Sequence, residues 1–204
     1  VQFFDVPALN FACADVNGDI GYFLGAEVPL REDLQLGEVS GLFPTLIRNG
    51  QGGNEWLAPS GPDPMRALPF AILPANEMPR LINPPRGFIV SANNDPTGAT
   101  LDNDPFNELR PGGGILYFGT GFALGVRAGR ITEMLDERVA RRGRLTVSDM
   151  KEIQADTVMN EARYFTPFIL GAFDAAQKPS AHPMLQQVAA DPRGVEAVGR
   201  LRAW

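Results

Sequence analysis

The 204-residue chain has one cysteine, Cys13, and one histidine, His182. A single cysteine excludes an intramolecular disulfide framework. A single imidazole excludes most catalytic zinc centres, which draw on two or more. No stretch approaches the roughly 18 consecutive apolar residues that a membrane span needs. The opening VQFFDVPALNF has neither the basic n-region nor the apolar run of a secretory signal. The sequence also lacks a G-x-S-x-G elbow, a phosphate-binding P-loop and a G-x-G-x-x-G turn after a strand. Basic charge is in deficit, 18 residues against 24 acids, for a net charge of −6. That balance argues against nucleic acid or an anionic membrane as the main partner.

What is present suits a packed protein: 44% of residues are apolar and 21% charged. The distribution is uneven. Residues 1–112 hold 14 of the 18 prolines and 14 acids against 6 bases, whereas residues 113–204 hold 10 acids against 12 bases. The first part therefore reads as antiparallel strands and long ordered loops and the second as mainly helical, an α+β organisation within one piece spanning 1–204.

Alternating apolar runs flank Asn17-Gly18, a dipeptide suited to a tight hairpin turn, and predict strands near 10–16 and 19–25. A further strand is expected at 87–91 after the turn-forming Asn83-Pro84-Pro85. The proline-rich stretch 32–86 shows little periodicity, and a loop of that length is either functional or pinned against other elements. Beyond Gly112-Gly113-Gly114 the spacing becomes helical through Ile131, Met134, Leu135 and Val139, with Gly143 as the stop. Thr146 and Asp149 form a capping pair for a new helix expected to carry Met150, Ile153 and Val158 inward. Further helices are expected over 160–176 and 184–202, the last with Leu185, Val188, Val195, Val198 and Leu201 as its apolar residues.

Few residues offer chemistry. Cys13, between alanines on a strand, reads as a buried inert thiol. A Ser-His-Asp triad would have to use His182, in the loop Lys178 to Pro183, without an elbow to present the serine. Gly50-Gln51-Gly52-Gly53 opens no helix and reads as a turn. The cluster Ser91-Ala92-Asn93-Asn94-Asp95-Pro96 closes a strand, where functional loops are commonly mounted. An asparagine there either donates its amide to a developing oxyanion or forms an Asx-turn that stops the strand.

Several phrases, in order, resemble the penicillin acylase family of N-terminal nucleophile hydrolases. They are Ala14 to Tyr22, Pro29-Leu30-Arg31, Leu68-Pro69-Phe70, Asn83 to Ile89 leading into Ala92-Asn93-Asn94, Arg130 to Leu135, Leu145-Thr146, and Ile153 to Asp156. The resemblance runs from about residue 9 to about 170 of this chain and matches the middle of that family's large β chain. It implies part of a fold that stacks two antiparallel sheets between helical layers. It also implies hydrolysis of an N-acyl amide, of penicillin, cephalosporin or acyl-homoserine lactone type, by an N-terminal serine whose own α-amino group is the base.

By the same resemblance Asn93 corresponds to the oxyanion-hole asparagine, and Arg130 to an active-site arginine that braces it, the two side chains being expected close together. Asp104 corresponds to a carboxylate ligand of a structural calcium, with Pro29 adding a backbone carbonyl. Calcium takes six to eight oxygens, so the site is expected to be incomplete and empty here. Val1 has neither hydroxyl nor thiol. The resemblance therefore implies that the nucleophile lies upstream, that the remaining α and β chain segments are partners, and that the segment alone is inactive. Faces covered by those segments would be exposed and favour self-association. The family's location implies a periplasmic or secreted protein. A non-catalytic binding or assembly module that reuses the scaffold is the alternative reading.

Overall fold

In the computed structural model, which describes residues 8–62 and 69–204, Asp15 shapes the first hairpin. Strand β1 (Leu9–Ala14) pairs antiparallel with β2 (Ile20–Gly25), Ala14 opposite Ile20 and Leu9 opposite Gly25. The connection is five residues, not the expected two-residue turn, because the Asp15 carboxylate accepts the N–H groups of Asn17 (2.8 Å) and Asp19 (3.0 Å). Gly18 supplies the left-handed backbone (φ 95°), while Asn17 does not.

The strand expected at 87–91 is absent. The second edge of β2 is taken instead by β3 (Arg80–Ile82), which completes a sheet of order β1-β2-β3. Asn83 locks this arrangement: its Oδ1 accepts from Ile20 N at 2.8 Å and its Nδ2 donates to Asp19 at 2.7 Å. The Pro84-Pro85 turn then closes with Gly87 N donating to Pro84 O at 2.8 Å, Gly87 having φ 76°. Both edges of β2 are thus occupied before residue 88. Cys13 is exposed rather than buried, because β1 is an edge strand whose residues other than Phe11 face solvent.

The chain divides after Gly125 into two units. In the first, the proline-rich stretch is pinned by an irregular ladder. Leu30 N donates to Ala71 O (2.8 Å), Leu57 N to Leu30 O (2.9 Å), Ala71 N to Leu57 O (2.7 Å) and Leu73 N to Val28 O (2.8 Å). A single-turn helix α1 (Glu32–Gln35) carries Leu34 into a core with Ile115 and Tyr117, flanked by Val39 and Phe106. Phe43, Phe106 and Tyr117 stack in sequence, with ring centroids 5.4 and 5.3 Å apart. Two buried ion pairs fasten the loops: Asp33 with Arg48, and Glu77 with Arg110 at 2.8 Å. Because burial penalises each charge, such pairs hold only where hydrogen bonds complete them. Arg48 also donates to Ser40 O at 2.6 Å, and Ser40 N donates to Asp33 at 2.9 Å.

The second unit is helical: α2 (Val126–Arg142), α3 (Val147–Gln154), α4 (Asn160–Ala176), α5 (Pro183–Ala189) and α6 (Pro192–Ala203). Helix α2 packs on α3 and α4, and α4 packs on α5 and α6. Gly143, at φ 70°, ends α2 as expected. The Thr146–Asp149 capping box is formed in both directions. Ile153 is buried, but Met150, within α3, and Val158, beyond its end at Gln154, are exposed. The helix expected over 184–202 is two helices: Asp191 caps a new start at Pro192, whose ring interrupts the preceding ladder. Val198 is buried, whereas Leu185, Val188 and Val195 are exposed. Three antiparallel strands and six helices among the described residues make the chain α+β. Among the described residues, no helix is long and apolar enough to cross a membrane.

Candidate functional site

Strand β2 ends at Gly25, and the chain from Ala26 to Arg31 forms one wall of a cavity of about 520 Å3 in the first unit. Asn10 on β1, Thr45, the Asn93-Asn94 loop and the segment Tyr117 to Phe122 form the rest. Asn10 accepts from the hydroxyl of buried Tyr22 at 2.5 Å, which fixes one corner. Burial raises the Tyr22 hydroxyl above its ordinary pKa, so it stays a donor.

Asn93 sits on this cavity with a left-handed backbone (φ 60°), a conformation asparagine tolerates better than most residues. Its carbonyl accepts from Ala123 N at 2.7 Å, and Asn94 bridges Ala123 in parallel register. The backbone at 93 is therefore clamped, so the direction in which the side chain leaves is set. The Asx-turn of this cluster belongs to Asp95 instead. Its carboxylate accepts from Thr97 N (2.8 Å), Thr97 Oγ1 (2.7 Å), Thr100 N (2.8 Å) and Thr100 Oγ1 (2.9 Å). Burial alone would raise the Asp95 pKa, but these four donors hold it below the ordinary carboxylate value. Asp95 is a support that sequence reasoning missed, although the D-P-T-x-x-T spacing carries its signal.

The cavity wall carries two charged residues, Glu27 and Arg31. Arg31 is the cation. Its guanidinium lies 5.6 Å from the Tyr117 ring centroid and caps the Phe43–Phe106–Tyr117 stack. Burial lowers its pKa, with Arg48 adding to the effect, while Tyr117 and Asp33 partly offset it. Nothing in the sequence beyond its place after Pro29-Leu30 marks Arg31.

Arg130 lies in the helical unit, on α2. It holds Asp156 in a fork (Nε and Nη2 each at 2.8 Å) and Glu133 through Nη1 at 2.9 Å. Arg163 on α4 meets the same Glu133 at 2.9 Å. These bonds raise the pKa of Arg130 and hold Asp156 and Glu133 below the ordinary carboxylate range. Asn93 and Pro29 share the cavity of the first unit, and Arg130 belongs to the second. Leu68 and Val1 lie outside the described residues.

Asp104 is exposed, and its Oδ1 accepts from Phe106 N at 3.1 Å within its own loop. Pro29 forms a backbone bridge with Ile72. Among the described residues no three His, Cys, Asp or Glu side chains gather as metal ligands. Asp104 and Pro29 would supply only part of the six to eight oxygens that calcium takes. His182 caps α5, its Nδ1 accepting from Met184 N at 3.2 Å. Gly52 and Gly53 adopt left-handed backbones in a bend, consistent with the turn reading.

A family model for penicillin amidase matches residues 1–204. Among solved structures the chain is similar to a thermostable penicillin G acylase from Alcaligenes faecalis, at 22% identity and a TM-score of 0.53. The match covers 98% of this chain and 27% of that one. At this identity the likeness is one of fold, and the sequence spans about a quarter of the length of the structure it resembles.

Proposed function

From the premise that this chain belongs to the penicillin amidase family, we propose that it forms part of an amide hydrolase acting on an N-acyl compound, with Asn93 as the oxyanion donor. The observation that carries the reading is the clamped backbone of Asn93 on the wall of a cavity large enough for an acyl group. The nucleophile is a serine at a chain N-terminus supplied by sequence outside this segment. Its α-amino group, with an ordinary pKa of about 8, takes the hydroxyl proton as the oxygen attacks the acyl carbon. Negative charge moves onto the carbonyl oxygen, where the Asn93 amide donates a hydrogen bond. The same donor serves the second tetrahedral intermediate, when water cleaves the ester. A fixed donor needs no reorganisation as charge develops, and one such group contributes about 3 kcal/mol to transition-state stabilisation.

Arg130 takes a positioning role in this scheme, since its own donors are engaged by Asp156 and Glu133. A periplasmic or secreted location goes with the same family reading. The test uses the protein that carries this segment together with its upstream sequence, given a chromogenic N-acyl anilide. Arylamine release with a transient ester mass on an N-terminal serine is expected. Absence of both, with the protein folded, overturns the proposal.

A further inference from the structure

Two asparagines in the first unit precede glycine, at Asn17-Gly18 and Asn49-Gly50, and the fold holds them differently. Glycine has no Cβ, so its backbone nitrogen can come close to the side-chain amide before it. At the first pair that approach is blocked. Asn17 Nδ2 donates to Asp15 Oδ2 at 3.2 Å, Asn17 N donates to Asp15 Oδ1 at 2.8 Å, and Gly18 N donates to Asp15 O at 3.3 Å. Amide and glycine nitrogen are both held in the hairpin turn.

At the second pair both residues are exposed, and among the described residues neither the Asn49 side chain nor the Gly50 N–H has a hydrogen-bond partner. The pair stands in a short loop fastened to α1 at both ends. Before it, the Arg48 guanidinium pairs with Asp33. After it, Glu32 Oε2 accepts from Gly53 N at 2.9 Å and from Glu55 N at 3.3 Å.

We propose that Asn49 is a site of spontaneous deamidation and isomerisation, that the fold protects Asn17 from the same reaction, and that isoaspartate at 49 loosens the fastened loop. The Gly50 nitrogen, its proton lost to hydroxide, bonds to Asn49 Cγ. The bond from Cγ to Nδ2 breaks, and ammonia leaves with a proton returned by water. The cyclic imide then takes up one water. Opening between the nitrogen and Cγ gives aspartate, and opening between the nitrogen and the main-chain carbonyl carbon gives isoaspartate. Either product adds one negative charge to the net −6. Only isoaspartate routes the main chain through Cβ and Cγ, which lengthens it by one atom. A loop fastened at both ends has no free end to absorb that atom, so the anchor at Asp33 or at Glu32 shifts.

The test incubates the intact protein in mildly alkaline buffer, folded and in unfolding urea. Peptide mapping follows each asparagine, the gain of one mass unit reporting deamidation and enzymatic isoaspartyl methylation reporting isomerisation. In the folded protein Asn49 should react at least about tenfold faster than Asn17, and in urea the two rates should converge, since protection lasts only while the hairpin is closed. Gly50→Ala should slow the reaction at 49 at least about tenfold. Its Cβ would meet only Glu55 Oε1, at 3.5 Å, on a backbone outside the left-handed region, so the fold is kept. Wild-type protein aged until isoaspartate is abundant should melt at a lower temperature than fresh protein, and Gly50→Ala aged beside it should not. Equal rates in the folded protein, a gap that persists undiminished in urea, or a reaction at 49 unaffected by Gly50→Ala overturns the site. An unchanged melting temperature in isoaspartate-rich protein overturns the loosening.

Discussion

Replacing Asp33 by alanine should be among the most damaging single changes in the first unit. The Asp33 side chain is 1% exposed and that of Arg48 is 9% exposed. Asp33 receives two guanidinium bonds and the Ser40 N–H at 2.9 Å. Its removal leaves the Arg48 guanidinium buried without a counter-ion, and breaking a pair in this way costs about 3–5 kcal/mol. The loop from Ser40 to Arg48 carries Thr45 to the cavity, so the same change should loosen one of its walls. Urea unfolding of Asp33→Ala should show a lower midpoint at unchanged slope. The exposed pair Arg200–Glu196 serves as a control, and Glu196→Ala should leave the midpoint nearly in place. Adding Arg48→Met to Asp33→Ala should recover part of the loss, because the stranded charge goes with it. Burial alone would raise the Asp33 pKa, but Arg48 and the Ser40 N–H hold it below the ordinary carboxylate value. Its stabilisation is thus complete above that ordinary value and fades as pH falls through the native one, so wild type and variant should converge in acid. A loss below about 1 kcal/mol, the scale of an exposed pair, or a gap that widens in acid, would refute this reasoning.

Gly114→Ala should destabilise by about 1–3 kcal/mol, because the added Cβ meets Gln35 Cα and Leu34 O at 2.7 Å on a φ of 84°, whereas Gly61→Ala, in open space, should be silent in thermal melts. Arg130→Ala should lower the melting temperature at neutral pH. It should also reduce the acid dependence of stability, since Asp156 loses the partner that holds its pKa down, an interaction wild type forfeits only as pH falls, while Glu133 keeps Arg163. Tyr164, Phe165, Phe168 and Ile169 expose an apolar stretch of α4, and sedimentation velocity should show concentration-dependent association that Phe168→Glu reduces. A clean monomer at high concentration would contradict that last expectation.

Local chemistry made much of the fold legible. The Thr146–Asp149 capping box, the Gly143 stop and the span of α4 over 160–176 follow from capping and periodicity alone. The failures are those of competition between elements. Residues 87–91 have the composition of a strand, but Asn83 had already fixed β3 on the edge they would need. The α5–α6 break was marked by Asp191-Pro192 yet overridden by the apolar spacing on either side. At the candidate site Asn93 was visible as a polar residue in a strand-end cluster. Arg31 and Tyr117 were not, because aperiodic proline-rich loops bring them together across 86 positions. No window of sequence contains both.

Asn93 is the centre of the functional reading, and its substitution is the direct measurement. In the protein that carries this segment with its upstream sequence, Asn93→Ala should lower the single-turnover acylation rate about 10²–10³-fold while the protein stays folded and substrate binding changes little. Acylation at the wild-type rate in folded Asn93→Ala protein would contradict the account.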